Sequence, residues 1–572
     1  MKTLLSFLKP FRARMLVGFC VKVIATLSEL LLPFILSHIL EVVIVREKIW
    51  EIVFYGVLMI LCAAVACIGN IIANRMAART SMYFSKEMRR TLFKKTLYLS
   101  ARDTDRFTVP SLESRITTDT YNVHSFLSTM QRMGVRAPIM LIGGITITLV
   151  MDAFLSLVMI ATLPFIFTTV YLISKRGIPL YRKVQRSVDG MIRVVREDTQ
   201  GIRVIKALSK NDYENRRYDK VNYALSKDER TAGTVMGVVN PVMTLFMNMG
   251  IVGVIAVSAH RVQGGDSSPA TVIAFMQYFT LISMAMMSLS RMFTMYTKCA
   301  ASARRIAEVL DTPDTYFVEE KSEEIRTGEH IAMEKVAFSY FGKQNNLEDI
   351  SFSLKKGESL GIIGATGSGK STLIRLLLRF YEADSGEVRI KGRRITEYTR
   401  EELSSLVGVA LQSDFLYADT VEENIRFGRD IPHEEVEWAA RVAQAHDFIS
   451  ATADGYGHIL SPKGTNLSGG QRQRLLIARA VASKPEILIL DDSSSALDYK
   501  TDAALRKTLR EELTDTTVIT VAQRVSSVKN STLILVLDEG KIIGKGTHEE
   551  LLSSCPEYRE ISDSQMGGAF VE

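Results

Sequence analysis

The run GATGSGKS, Gly364 to Ser371, carries the strongest chemical signal in the sequence. It follows the apolar run SLGIIG and leads into STLIRLLLRF, which has the pattern of a helix. A glycine-rich loop between a strand and a helix turns backbone N–H groups toward phosphate oxygens, at a helix end that already favours anions. Lys370 would neutralise the β- and γ-phosphate oxygens, and Ser371 would ligate Mg²⁺. The motif predicts an ATP site formed by Gly364, Ala365, Thr366, Gly367, Ser368, Gly369, Lys370, Ser371 and Thr372.

A second signal is the run EILILDD, Glu486 to Asp492. An apolar run that ends in acidic residues is typical of a buried strand that delivers a carboxylate to a metal ion. Asp491 is the predicted metal ligand. The next position, Asp492, is where a general base that polarises the attacking water is expected.

A third signal is LSGGQ, formed by Leu467, Ser468, Gly469, Gly470 and Gln471. Between the two motifs above, it identifies a family: the chain resembles ABC transporters over essentially its whole length, and in particular bacterial exporters with fused membrane and ATPase halves. The resemblance implies that two ATPase domains sandwich two ATP molecules head to tail. Each ATP then lies between the phosphate loop of one domain and the LSGGQ signature of the other.

The resemblance also assigns residues outside these motifs. Tyr340 matches the aromatic that stacks on adenine, and Gln412 matches a glutamine that touches the metal, so the implied Mg²⁺ ligands are Ser371, Gln412 and Asp491. The loop that crosses between the two ATP sites corresponds to Ser495, Ala496, Leu497 and Asp498.

Two segments fall where the family docks its membrane helices on the ATPase domains, near Pro110–Arg115 and Asn211–Arg216. Solvated charged turns are the alternative interpretation of both segments.

Two positions depart from the family pattern together. Active members have glutamate after the metal-binding aspartate and histidine in the switch, where this chain has Asp492 and Gln523. Aspartate is one methylene shorter, which leaves its carboxylate about 1–1.5 Å short of the water that a general base must reach. The chain's own site is therefore predicted to bind ATP and to hydrolyse it slowly.

The intact signature favours a heterodimer, in which LSGGQ completes a competent site on a partner that supplies glutamate and histidine. A homodimeric exporter of lipid or peptide, and a non-hydrolysing subunit gated by ATP, remain open alternatives.

The elements that must position these residues form two blocks. The chain has 572 residues, 47% of them hydrophobic, and its long apolar runs all lie in the first ~300 residues. We predict a six-helix transmembrane domain with long cytoplasmic helical extensions over 1–310 and a turn-rich linker over 311–328. An α/β P-loop ATPase domain is predicted over 329–572, because short β-rich runs alternate there with amphipathic helices.

Six apolar runs are long enough to be candidate spans: Leu16–Val43, Ile52–Ala73, Ala137–Met151, Phe154–Ser174, Met236–His260 and Ala270–Tyr296. The long connections are basic, which predicts a multi-pass protein of the cell membrane with its N-terminus and ATPase domain in the cytoplasm. The turn at Asp152 must be tight. Glu29 lies deep in the first span, as either a substrate or proton contact or a structural hydrogen bond.

The charge pattern also restricts the partners. The net charge of +7 comes mainly from basic loops between spans, as a membrane protein requires, so no nucleic-acid partner is predicted. The predicted partners are a second half-transporter, the lipid bilayer and an amphipathic small-molecule substrate. Six spans exclude a soluble ABC ATPase, and the fused domains disfavour an importer.

Overall fold

The computed structural model describes residues 6–264, 268–313, 316, 318–319, 328–340, 342, 344–412 and 415–566. The chain forms two compact units. One consists of Met1–Leu97 with Val109–Thr312, and the other of Tyr98–Thr108 with Pro313–Glu572.

The first unit is helical. Its helices are α1 (Arg12–His38), α2 (Ile49–Leu97), α4 (Val109–Ser114), α5 (Thr120–Met151), α6 (Ala153–Gln200), α7 (Ile202–Ala207), α8 (Asn211–Gly237), α9 (Val239–Gln263) and α10 (Pro269–Leu310). Short 3₁₀ or π turns lie at Lys9–Phe11, Ile39–Val43 and Arg115–Asp119.

Among the described residues, six helical segments are long and apolar enough to cross a membrane, which confirms the prediction of six spans. They are Lys9–Val43, Ile49–Leu97, Val109–Met151, Ala153–Gln200, Asn211–Gln263 and Pro269–Leu289. Helix α2 has 49 residues and is about 73 Å long, while the hydrocarbon core of a bilayer is only about 30 Å thick. The predicted helical extensions beyond the bilayer are therefore present.

The connection between the third and fourth spans is a single residue. Helix α5 ends at Met151, α6 begins at Ala153, and Asp152 lies between them with an extended backbone. The Asp152 carboxylate accepts hydrogen bonds from the N–H groups of Phe154 and Leu155, at 3.0 and 3.1 Å. These bonds satisfy two of the free N–H groups at the start of α6, so this reversal needs no longer loop.

Glu29, the acidic residue within the first span, has a partner on the third. The Nη2 group of Arg136 on α5 donates to its Oε1 atom at 2.5 Å. Of the two interpretations of Glu29, the structure therefore shows a bond between helices.

A buried carboxylate, that of Asp119 in the segment before α5, bonds to side chains of α10, the last helix of this unit. Asp119 is fully buried, and it accepts hydrogen bonds from the Ser302 hydroxyl and from Nε of Arg305, both at 2.8 Å. Because a buried charge is costly without partners, the position of α10 depends on this network.

The second unit contains two sheets. Its strands are β1 (Ile331–Phe338), β2 (Leu347–Leu354), β3 (Ser359–Gly364), β4 (Ser385–Ile390), β5 (Arg393–Arg394), β6 (Val407–Ala410), β7 (Ile487–Asp491), β8 (Thr517–Val521), β9 (Leu533–Asp538) and β10 (Lys541–Gly546). One sheet is antiparallel, in the order β2-β1-β4-β5; the other has the order β10-β9-β3-β8-β7-β6 and is parallel except for β10.

Helices surround these sheets. They are α11 (Lys370–Leu377), α12 (Arg400–Leu406), α13 (Val421–Arg426), α14 (His433–Val442), α15 (His446–Ser450), α16 (Gly469–Val481), α17 (Tyr499–Glu512), α18 (Val525–Val528), α19 (His548–Ser554) and α20 (Pro556–Met566). Short 3₁₀ turns occupy Ile395–Glu397, Gly455–Gly457 and Pro462–Gly464. Every residue of β7 is buried, as expected of a central strand covered on both faces.

A short helix, α3 (Ala101–Phe107), belongs to the second unit although its neighbours in sequence belong to the first. The Tyr381 hydroxyl donates to Asp105, and Nη2 of Arg400 donates to the Tyr98 carbonyl at 3.1 Å. The predicted docking segment near Pro110–Arg115 is thus misplaced, because Arg115 is buried in the helical unit and pairs with Glu308 at 3.0 Å. Docking by Asn211–Arg216, the start of α8, remains a prediction.

We expect Asp119→Ala to lower the free energy of unfolding by about 2–3 kcal/mol, less than for a fully buried ion pair because half of the Arg305 side chain is exposed. The midpoint of thermal unfolding in detergent should fall by roughly 4–8 °C. Asp189→Ala, at an exposed carboxylate on α6, is the matched control and should leave the midpoint unchanged. Equal midpoints for the two variants would show that the buried network does not stabilise the helical unit.

Candidate functional site

Four of the predicted motifs meet because four parallel strands end at one edge of a sheet. Strands β3, β8, β7 and β6 are neighbours in that order and run in the same direction. Their carboxyl ends lead into the glycine-rich loop, Gln523, the Asp491–Asp492 pair and Gln412 respectively. Ligands of open α/β sheets bind at this edge. A cavity of about 190 Å³ lies there, lined by residues from all four strand ends.

The phosphate loop has the backbone of an anion cradle. Gly364 lies so close to β9 that a Cβ there would stand 2.1 Å from the Leu537 carbonyl oxygen. Gly369 has φ +101°, and its Cβ would stand 2.8 Å from a Leu347 methyl group. No other residue fits these two positions without a shift of neighbouring strands. Helix α11 begins at the next residue, Lys370, so its free N–H groups face the loop.

Polar groups in the loop suit a phosphate group. The Lys370 ammonium folds back over the loop and donates to the carbonyls of Gly364 and Ala365, at 2.8 and 2.7 Å. Burial lowers the pKa of Lys370, and the Asp492 and Asp491 carboxylates oppose that effect. The Ser368 hydroxyl is buried and has no hydrogen-bond partner among the described residues. A phosphate oxygen would give Ser368 its acceptor and the Lys370 ammonium a further one, so the loop fits the predicted nucleotide.

Oxygen ligands suited to Mg²⁺ lie beside the loop. The Ser371 hydroxyl is 3.4 Å from Oδ1 of Asp491, and Asp491 is 5% exposed. Burial raises the pKa of Asp491, and the bond from Ser371 partly offsets it. A hydroxyl, a carboxylate and the amide oxygen of Gln412 form the hard-oxygen set that this cation prefers.

Asp492 is held by two glutamine amides. The Nε2 groups of Gln412 and Gln523 both donate to its Oδ2 atom, at 3.2 and 3.1 Å. Its own N–H donates to the Val521 carbonyl at 3.0 Å, and its backbone is left-handed with φ +49°. Burial raises the pKa of Asp492, while the two amide bonds lower it. The two residues that depart from the family pattern are therefore in direct contact.

Tyr340 stands beside the helix of the phosphate loop. Its hydroxyl donates to Oγ1 of Thr372 at 3.3 Å and accepts a bond from Arg375 at 3.0 Å. Its ring packs edge-on against Phe338 and Tyr381, with centroids 4.9 and 5.1 Å apart. The ring is thus fixed next to the predicted nucleotide site.

The signature residues do not reach that site within one chain. Leu467 to Gln471 are absent from the described lining of the phosphate-loop cavity, and Ser468 is exposed at the start of α16. The Ser468 hydroxyl accepts from the Gln471 N–H at 3.2 Å, and Gln471 Oε1 accepts from the Ser468 N–H at 2.9 Å. This capping box fixes the signature as a rigid, outward-facing helix end.

The loop Ser495–Asp498 packs against the signature. A Cβ on Gly470 would stand 3.1 Å from the Ala496 carbonyl oxygen. Asp498 caps α17 by accepting from the Thr501 N–H at 2.9 Å. The two motifs therefore form one surface on the same chain.

Two further residues of the site were not predicted from the sequence. Asn346 lines the cavity, and its Oδ1 accepts from the Tyr340 N–H at 3.1 Å. Gln473 donates to the Ser495 hydroxyl at 3.1 Å and accepts from the Ala496 N–H at 2.9 Å. The repeated QRQR after the signature was the available signal for Gln473, whereas Asn346 lies in a polar turn with no distinguishing pattern.

Comparisons with known proteins agree with this geometry. The family model for the ABC transporter transmembrane region matches residues 15–286, and the family model described as ABC transporter matches residues 347–495. An uncharacterized ABC transporter ATP-binding protein of Mycobacterium tuberculosis is 33% identical over 571 residues, which cover 99% of this chain and 98% of that protein. YfiB of Bacillus subtilis, another protein of that description, is 32% identical over 569 residues, or 99% of each chain.

The fold also has a solved counterpart. A bacterial Atm1-family ABC exporter with ATP bound superposes with a TM-score of 0.81 at 23% identity, covering 98% of this chain and 99% of that one. The sequence matches cover nearly the whole chain, and the phosphate loop and the six spans lie in one polypeptide. The chain therefore belongs to the ABC transporter family, as a multi-pass membrane protein with fused transmembrane and ATP-binding domains.

Proposed function

We propose that this chain is one half of a heterodimeric exporter that uses ATP to move amphipathic molecules, such as drugs, across the cell membrane. The observation that carries the proposal is the contact of Asp492 with Gln523 beside an otherwise complete ATP-binding loop. The chain would consist of a transmembrane domain over 1–310, a linker over 311–328 and an ATPase domain over 329–572. The N-terminus and the ATPase domain would be cytoplasmic, because the long connections are basic.

The geometry of Asp492 supports slow hydrolysis at this chain's own site. A general base must lie within hydrogen-bond reach of the water it activates. The aspartate side chain is one methylene short, and its Oδ2 atom already accepts two amide bonds. Gln523 can donate a hydrogen bond to a phosphate oxygen, but it has no imidazolium charge to offer.

The remaining residues would still bind ATP. The loop from Gly364 to Thr372 would hold the phosphates, with Lys370 as the neutralising charge, and Tyr340 would stack on the adenine. Ser371, Gln412 and Asp491 would hold Mg²⁺, which when bound neutralises charge on the phosphate oxygens. ATP binding and the general base thus depend on separate residues, so the chain could bind ATP and still hydrolyse it slowly.

The signature supports a heterodimer. Ser468 and Gly469 are exposed, and the helix they begin is fully capped. Such a preformed surface suits the ATP held by a partner's phosphate loop, where the partner supplies glutamate and histidine. Ser495, Ala496, Leu497 and Asp498 would cross to the same site. In a homodimer both sites would contain Asp492 and Gln523, and both would be slow.

A non-hydrolysing subunit gated by ATP is the second candidate, and the contact of Asp492 with Gln523 supports it as well. The two candidates differ in whether the assembled complex carries out ATP-dependent transport.

We expect the chain purified alone in lipid to bind ATP with Mg²⁺ and to show almost no turnover. The double change Asp492→Glu with Gln523→His should raise its hydrolysis rate about 10²–10⁴-fold, since it restores a base of full length and a switch that can be charged. ATP affinity, measured on the same samples, should change less than threefold. Brisk turnover by the unaltered chain, abolished by Asp492→Asn, would show that Asp492 is an adequate base and would remove the argument for a heterodimer.

The assembly tested is the one that copurifies with a tag on this chain. We expect Ser468→Asp to lower its rate of ATP hydrolysis about 10²-fold. Aspartate caps a helix as well as serine does, but its charge would repel the phosphates of the partner's ATP. Thr465→Asp, three residues earlier and also exposed, adds the same charge outside the signature and should have little effect. If both variants keep full activity, the signature does not complete a partner's site.

A further inference from the structure

The switch residue Gln523 lies in a short segment between β8 and α18, and α20, the last described helix, contacts that segment. The side-chain amide of Gln565 on α20 accepts from the Val525 N–H and donates to the Gln523 carbonyl, both at 2.8 Å. One side chain therefore makes two hydrogen bonds to the backbone on either side of Arg524. We call Gln523, Arg524 and Val525 the switch segment.

The first N–H group of α18 takes its acceptor from outside the helix. The residue before this helix, Arg524, supplies no hydrogen bond from its side chain, although the N–H groups of a first turn have no acceptor within the helix. Oε1 of Gln565 is the acceptor for Val525, the first residue of α18. The start of α18 thus depends on a side chain that lies 40 positions further along the chain.

Apolar packing holds α20 beside the switch segment. Tyr558 of α20 is fully buried, and it belongs to the same hydrophobic cluster as Ala522 and Val525. Its hydroxyl oxygen is 2.8 Å from Nδ1 of His548. Because the helix is held by these contacts, only the Gln565 side chain itself must be ordered to make its two bonds.

Gln565 contacts the switch segment but not the ATP site itself. Gln523 lines the phosphate-loop cavity, whereas Gln565 is absent from the described lining. The Gln523 side chain donates to Oδ2 of Asp492 at 3.1 Å, while the carbonyl of the same residue accepts from Gln565. The backbone that carries the switch side chain is therefore held by a residue outside the cavity lining.

We propose that Gln565 is a positioning residue, which holds the switch segment so that Gln523 donates to the γ-phosphate of a nucleotide bound at the phosphate loop. A side chain that must meet one phosphate oxygen binds it more tightly when its backbone is fixed before the nucleotide arrives. The proposal rests on the proposed ATP site, but it depends neither on the rate of hydrolysis nor on the identity of a partner subunit.

Hydrogen–deuterium exchange of the full chain in lipid nanodiscs, resolved at single amides, tests the contact without nucleotide. Gln565→Met keeps the size of the side chain and removes both hydrogen bonds. We expect the Val525 amide to exchange about tenfold faster in this variant, because its acceptor is lost. The Ala522 N–H, which donates to the Ile362 carbonyl at 3.1 Å, should keep its rate. A general loosening of the domain would instead speed both amides.

Nucleotide affinity tests the consequence for the ATP site. The measured quantity is the ratio of the affinities for β,γ-imido-ATP, which resists hydrolysis, and for ADP, which lacks the γ-phosphate. We expect Gln523→Ala to lower this ratio about tenfold, since a hydrogen bond to a charged group is lost. Gln565→Met should lower it roughly three- to tenfold. The variant with both changes should lose no more than Gln523→Ala alone, because the two residues act through one contact.

Ser564→Ala is the matched control, at an exposed residue of α20 whose hydroxyl donates to the Ile561 carbonyl at 3.0 Å. It should change neither the exchange of the Val525 amide nor the affinity ratio.

Four results would overturn the proposal. They are an unchanged Val525 amide in Gln565→Met, an unchanged affinity ratio in Gln565→Met or in Gln523→Ala, and losses that multiply when both changes are combined. If neither nucleotide binds to the unaltered chain, the proposed ATP site fails as well. A chain that gives every expected result but hydrolyses ATP rapidly when purified alone would count against the proposed function alone.

Discussion

Parallel pairing of β3, β8, β7 and β6 is the constraint on which the ATP site depends. Strands that run in one direction end at one edge, and each of these four is followed by a residue or loop that acts there. Gln412 and Gln523 lie 80 and 31 positions from Asp492 in the sequence, yet both donate to the same oxygen of its carboxylate. A reversal of any one strand would remove its motif from the site.

At this edge of the sheet, phosphate binding and the general base depend on different parts of the chain. Phosphate is held by a backbone loop and the start of a helix, which few side-chain changes can damage. The general base depends on the length of one side chain. The signature lies at the start of α16, is absent from the described lining of the phosphate-loop cavity and is fixed by its own capping box. A shortened base would therefore leave nucleotide binding and the signature intact, which is the combination that the proposed heterodimer needs.

Much of this could be predicted from the sequence, since the phosphate loop, the buried strand before Asp491 and the six spans each have a local pattern. Contacts between residues that are distant in the sequence could not be predicted in this way. The partner of Glu29 lies on another helix, and no pattern relates it to Arg136. The docking segment near Pro110–Arg115 was predicted from the resemblance to the family, whereas the fold assigns Arg115, which is buried, to the helical unit. Asn346 and Gln473 act through contacts that only the fold creates.

The left-handed backbone of Asp492 relates the choice of side chain at this position to the stability of the domain. Aspartate tolerates a positive φ better than glutamate, because its short side chain bonds to nearby groups. A glutamate at this position would therefore store strain of the kind that active sites commonly hold. The backbone at residue 492 thus favours the shorter side chain, and the free energy of unfolding of this domain gains from aspartate there whatever the rate of hydrolysis.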